Sequence, residues 1–273
     1  MTRPTYPPLL AALTVLLLGA SALHAEAPRG PKPDPVFPFS REIDDFAKAD
    51  DAGPAIADAT LFLGSSSIRL WDIRNSFPAI GTINRGFGGA TTPDVLHYYK
   101  RLKPRIAPRS IVVYVGENDL AGGATPDKVA SDILTLLRLL RADYPRARIV
   151  WMSIKPTPLR WTLWPQMAAI NRAVAGRADM AGFDYLEVWQ GLLARDGLPD
   201  ASLFRPDGLH MNAKGYALWT RQVEAWLGAQ AKPAARIAAI PAKSGSVTQA
   251  PVSRPLTDET PVRRELHPST SAP

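Results

Sequence analysis

Histidine is the scarcest side chain here that can move a proton near neutral pH. The chain has four: His24, His97, His210 and His267. His24 lies in an apolar leader and His267 in a proline-rich tail, so His97 and His210 are left for a folded region. His97 sits in TTPDVLHYYKRL, a helical pattern where a histidine is commonly a partly solvated side chain. His210 closes the run Asp207-Gly208-Leu209-His210 on a loop entering a helix. A carboxylate at that spacing can accept the Nδ1 proton and leave Nε2 as a base. It can equally cap the helix beginning near Met211. Elsewhere, Gly64-Ser65-Ser66-Ser67 offers hydroxyls, Gly86-Phe87-Gly88-Gly89 offers backbone amides, and Glu117-Asn118-Asp119 offers a side-chain amide. Nucleophile, base, orienter and oxyanion donors together are the inventory of acyl transfer. With no cysteine there is no thiol nucleophile, thiolate metal site, disulfide or lipidated cysteine. No metal or cofactor is expected.

These residues need elements to bring them together. Five apolar runs read as strands: residues 60–63, 81–84, 110–115, 148–154 and 183–188. The third and fourth are nearly continuous in β-branched and aromatic residues, as strands covered on both faces must be. Helical stripes lie between and after them. Val129, Ile133, Leu136, Leu137 and Leu140 recur at spacings of three and four within 126–144, behind Thr125 and Pro126. Residues 165–178 and 212–227 show similar stripes. Alternating strands and helices imply right-handed crossovers and a five-stranded parallel sheet in a three-layer α/β/α sandwich. In such sheets, sites form beyond the carboxyl ends of the strands, which is where the residues above fall. A phosphate-loop reading of GFGGAT is disfavoured, because these glycines follow the second run and lack a lysine.

The ends differ from the middle. Of 27 prolines, 15 lie outside residues 39–228. Residues 1–25 have the positive start, the apolar run Leu9 to Ala20 and the small residues of a signal peptide, so export to the periplasm or medium is expected. Residues 26–40 read as a proline-rich linker, 41–228 as the catalytic domain and 229–273 as a disordered tail. No membrane anchor is expected after signal cleavage. The net charge is +7, but the tail holds +3 of it. The remaining +4 is an ordinary solvated surface, so no nucleic-acid partner is expected.

Four separated blocks then carry a resemblance: LFLGSSSIRLW, INRGFGGATT, VGENDL and DGLHMN. In order and context the chain resembles the SGNH/GDSL serine hydrolases, esterases on a flavodoxin-like sandwich, over about residues 58–228. The resemblance implies Ser66 as nucleophile with Asp207 and His210 completing a triad. It implies an oxyanion hole from the amides of Ser66 and Gly89 and the side chain of Asn118. A register shifted by one would favour Ser67 instead. Two positions depart from the family: Ser65 stands where an acidic residue is usual, and Glu117 where a small polar one is. Glu117 either charges the rim of the oxyanion hole or is a solvated turn residue.

The segment after the fourth run, Lys155 to Pro165, falls at the same sheet edge with two cations, Lys155 and Arg160, and two tryptophans, Trp161 and Trp164. It reads as a substrate wall with Trp161 or Trp164 stacking on a sugar or acyl chain, or as tryptophans packed beneath a loop. The expected substrates are short-acyl esters, acetylated carbohydrate or lysophospholipid. The alternative is an exported glycan- or lipid-binding module that keeps the pocket without turnover.

Overall fold

A computed structural model of the chain describes residues 38–229. The expected signal peptide, nearly all of the linker and the tail beyond 229 lie outside the described residues. All five apolar runs become strands: β1 (Thr60–Gly64), β2 (Thr82–Gly86), β3 (Ser110–Tyr114), β4 (Arg148–Met152) and β5 (Asp184–Leu186). They form one parallel sheet in the order β2-β1-β3-β4-β5. The helices are α1 (Ser40–Ala52), α2 (Ser66–Arg69), α3 (Ile73–Ser76), α4 (Thr92–Leu102), α5 (Glu117–Ala121), α6 (Pro126–Asp143), α7 (Trp164–Ala175), α8 (Ala178–Ala181) and α9 (Ala213–Gly228).

Side chains alternate across a strand, so each strand feeds two cores. Leu61, Leu63, Ile111, Val113, Ile149 and Trp151 meet the apolar faces of α4, α6 and α7 on one side. Phe62, Val112, Tyr114, Val150 and Met152 meet Ile68, Trp71 and the α9 residues Tyr216, Trp219, Val223 and Trp226 on the other. Each fully buried large apolar side chain contributes about 1.5–3 kcal/mol. That dual burial is why the strands read as continuous apolar runs.

Helix starts are fixed by local chemistry. Thr91 and Asp94 form a reciprocal capping box at α4, with Pro93 in the first turn. Thr125 Oγ1 accepts from Lys128 N at α6, where the Thr-Pro pair predicted a start. Asn212 Oδ1 accepts from the amides of Lys214 and Gly215 and caps α9. Asp207 is therefore not the cap of that helix.

Helix α1 was not legible in the sequence. Its stripe is thin, with Ile43 its one buried residue. It docks instead through charge and aromatic contacts. Arg85 Nη2 donates to Asp50 at 2.6 Å, Arg101 pairs with Asp44, and Phe39 packs edge-on against Phe87.

Gly64, at the end of β1, admits no other residue without strain. Its φ is +150°, and a Cβ there would lie 1.9 Å from the Tyr114 carbonyl oxygen. Gly64→Ala is expected to cost about 3 kcal/mol, the upper range for overpacking. Urea unfolding of the two proteins measures it, and a loss below about 1 kcal/mol would contradict this account.

Candidate active site

The central strand β1 sets the position of the nucleophile. Gly64 pairs with Gly86 of β2 and Tyr114 of β3, so three strand ends lie side by side. The chain then turns sharply into α2, with Ser65 N donating to Tyr114 O at 3.1 Å. Ser66 is the first residue of α2, half-buried, and its Oγ lies 3.0 Å from His210 Nε2. His210 Nδ1 lies 2.8 Å from Asp207 Oδ2. A carboxylate only accepts, so the Nδ1 proton points to Asp207 and Nε2 is left as acceptor. Asp207 Oδ1 accepts from the amides of Leu209 and His210, both at 2.9 Å. Desolvation pushes the Asp207 carboxyl up, but hydrogen bonds from the His210 ring and the two backbone amides outweigh it. They hold its pKa at about 2, so the carboxylate stays charged throughout the neutral range.

Of the three adjacent serines, Ser66 is the one whose hydroxyl meets the histidine. Ser65 and Ser67 are buried. Ser67 Oγ accepts from Lys155 Nζ at 3.3 Å, and its carbonyl accepts from Tyr216 Oη at 2.9 Å. The hydroxyl of Ser67 therefore faces inward, away from the base.

The oxyanion candidates come from the neighbouring strand ends. Gly89 lies in an exposed turn after β2 with φ +77°, a conformation that favours glycine. That turn is braced on both sides. Gly88 N donates to Glu42 of α1 at 3.3 Å, and the Ala90 carbonyl accepts from Asn118 Nδ2 at 3.0 Å. Thr92 N donates to Asp119 Oδ1 at 2.8 Å, and burial raises the Asp119 pKa. Asn118 itself sits in the first turn of α5, after β3.

Two expectations are corrected here. Glu117 is neither a rim charge nor a solvated residue; it is 3% exposed. Its Oε2 accepts from Lys155 Nζ at 2.6 Å and from Tyr114 Oη at 2.7 Å. Lys155 is not part of a substrate wall, because it is fully buried beneath α2 and α5 contacts. A buried charge needs a partner, and the Lys155–Glu117 pair gives each ion its counter-ion through Oε2. Burial pushes the Lys155 ammonium down, with Glu117 opposing it, and pushes the Tyr114 hydroxyl up. The sequence showed Glu117 as a departure and Lys155 as a wall cation but gave no sign that they meet.

The 155–164 segment does reach the site edge. Leu159 N donates to Gly208 O at 2.9 Å, beside Asp207, and Leu159 presents a side chain 62% exposed. Trp161 and Trp164, both half-buried, stack on each other at 6.2 Å, and Trp164 packs against Trp189 at 5.0 Å. Trp189 is a member of this row that the sequence did not suggest. Among the described residues no group of three or more His, Asp, Glu or Cys could hold a metal ion.

A GDSL-like lipase/acylhydrolase family model matches residues 69–218. The chain belongs to that family. The matched span includes Gly89, Asn118, Asp207 and His210, and begins just after Ser66. Relatives of this GDSL-like chain include platelet-activating factor acetylhydrolase IB subunit alpha2 from Homo sapiens. The two are 31% identical over 169 residues, 58% of this chain and 70% of that one. A GDSL-like lipase from Bacteroides thetaiotaomicron superposes with a TM-score of 0.58 at 18% identity, covering 68% of this chain and 96% of that one. An acetyl-xylooligosaccharide esterase from Geobacillus superposes with a TM-score of 0.51 at 16% identity, covering 65% and 97%. The expected sandwich is thus the GDSL hydrolase fold, and the chain is an ester-bond hydrolase.

Proposed function

We propose that this GDSL-like hydrolase is an exported serine esterase working through a Ser66–His210–Asp207 triad. The observation that carries the reading is the pair of contacts around His210: 3.0 Å to Ser66 Oγ and 2.8 Å to Asp207. His210 Nε2 takes the hydroxyl proton as Ser66 Oγ bonds to the ester carbonyl carbon. The carbonyl electron pair moves onto oxygen, toward the amides of Ser66 and Gly89 and the Asn118 side chain. Collapse of this intermediate breaks the bond to the alkoxy oxygen, which takes the proton from His210. Water then attacks the acyl-enzyme by the same route in reverse. Asp207, still ionised at neutral pH, stabilises the imidazolium in both halves.

Export rests on the leader sequence, residues 1–25. A short acyl group on a carbohydrate or lysophospholipid suits a site whose edge segment carries the stacked Trp161 and Trp164. The acetyl-xylooligosaccharide esterase and the platelet-activating factor acetylhydrolase among its relatives are in keeping with a short acyl group. The test is a fluorophosphonate probe applied to the purified chain, followed by an ester panel. Labelling at Ser66 with turnover of acetyl esters is expected. Absence of both would favour the non-catalytic binding module.

Trp161 offers the substrate half of the test. Trp161→Ala is expected to lower kcat/KM on acetylated oligosaccharide by about tenfold, the scale of one lost aromatic contact. Turnover of a small aryl acetate, which has no sugar to stack, is expected to stay within about twofold on the same scale. Equal rates on both substrates would remove Trp161 from the binding surface.

A further inference from the structure

Arg160 follows the exposed Leu159 in a rim loop and is read from sequence as a wall cation. The structure turns it inward, with its side chain 18% exposed. Nη1 donates to Asn118 Oδ1 at 3.0 Å and lies 3.3 Å from Glu117 Oε1. Glu117 is itself fixed from the other side by Lys155 and Tyr114. The Arg160 backbone is held too, its N donating to Thr157 O and Thr157 Oγ1, both at 3.2 Å. A guanidinium whose carboxylate partner is already in place is poorly suited to bind an anionic substrate. It is well suited to hold a neighbour.

We propose that Arg160 is a positioning residue, setting and polarising the Asn118 amide as an oxyanion donor through the ion chain Lys155–Glu117–Arg160. The inference rests on the esterase reading above. Arg160 can only donate and the Ala90 carbonyl can only accept. The two contacts at 3.0 Å therefore fix which end of the Asn118 amide is oxygen and which is nitrogen. Nδ2 has two hydrogens, and Ala90 occupies one. The other is left for the substrate oxygen. A cationic donor on Oδ1 draws electron density away from Nδ2, so the remaining N–H becomes a stronger donor. Preorganisation of this kind costs nothing at the moment of reaction.

The test is a kinetic cycle on a small aryl acetate using Arg160→Met, Asn118→Ala and the double variant. Asn118→Ala is expected to lower kcat by about 100-fold, the scale of one lost oxyanion donor. Arg160→Met is expected to lower kcat by about 10-fold with KM within about twofold, because the donor remains but is less well held. In the Asn118→Ala background the same change is expected to cost less than about twofold, since the residue it acts through is gone. Arg160→Lys keeps a charged donor without the planar fork and is expected to recover about half of the lost factor on a logarithmic scale. If Arg160→Met fails to fold, the Arg160→Lys cycle reads the same coupling.

A full 10-fold loss in the Asn118→Ala background would reduce Arg160 to loop packing and overturn the proposal. So would a wild-type kcat in Arg160→Met. The esterase reading fails separately: Ser66→Ala and Asn118→Ala would then both keep wild-type rates.

Discussion

Ser66→Ala is expected to lower kcat on a short ester by about 10⁴–10⁶-fold, the range for losing a triad member. The change removes one hydroxyl from a half-buried residue whose Oγ meets His210. Fold stability should move by no more than about 1 kcal/mol, the net worth of one hydrogen bond. The residual rate would come from the oxyanion donors, which this substitution leaves in place. Peptide mapping of a fluorophosphonate-treated sample completes the measurement. An adduct on Ser67, or a Ser66→Ala protein within tenfold of wild type, would refute the assignment. Ser67 is 2% exposed and committed to Lys155, so the geometry leaves no route for a substrate to reach it.

The second large effect is on stability. Glu117→Gln is expected to cost about 3–5 kcal/mol, the scale for removing one partner of a buried ion pair. Gln at that site leaves Lys155, fully buried, without its anion. Lys155→Met is expected to cost less, because Glu117 keeps the Tyr114 hydroxyl and the nearby Arg160 guanidinium. The sign with pH follows from burial. Desolvation lowers the folded-state Lys155 pKa and Glu117 opposes that shift, so loss of Glu117 lowers it further. Between the folded and unfolded values the unfolded chain binds more protons, and stability then rises with pH. The Glu117→Gln deficit should therefore shrink as pH climbs toward the ordinary lysine range near ~10.4. Urea unfolding at neutral pH and again about two units higher measures both the order and the slope. A Lys155→Met protein weaker than Glu117→Gln, or a deficit that grows with pH, would contradict this picture.

What the sequence revealed and what it hid divide along physical lines. The five strands were legible because burial on both faces demands unbroken apolar runs, as at Ile111 to Val115. The start of α6 was legible because Thr125 and Pro126 are local signals. Helix α1 was hidden because it docks through Asp44, Asp50 and Glu42, and charged partners far along the chain leave no periodic trace. At the site, Asp207 and His210 could be paired from spacing, three residues apart on one loop. The Lys155–Glu117–Arg160 chain could not, because Glu117 follows β3 while Lys155 and Arg160 follow β4, and they meet only after the sheet forms. Each was visible as a charge, but burial and direction belong to the tertiary structure.

The contact between His210 and Ser66 spans 144 positions of chain, and that between Tyr216 and Ser67 spans 149. A ribosome therefore makes the proposed nucleophile long before the proposed base. Over those 144 positions the growing polypeptide has the Ser66 hydroxyl, and later the proposed oxyanion donors, but not the histidine that would take the proton. On the proposed triad, hydrolytic competence waits until the 207–210 loop has closed against the turn after β1. On that triad, a chain that stops short of His210 is chemically silent, however much of its sheet has already assembled.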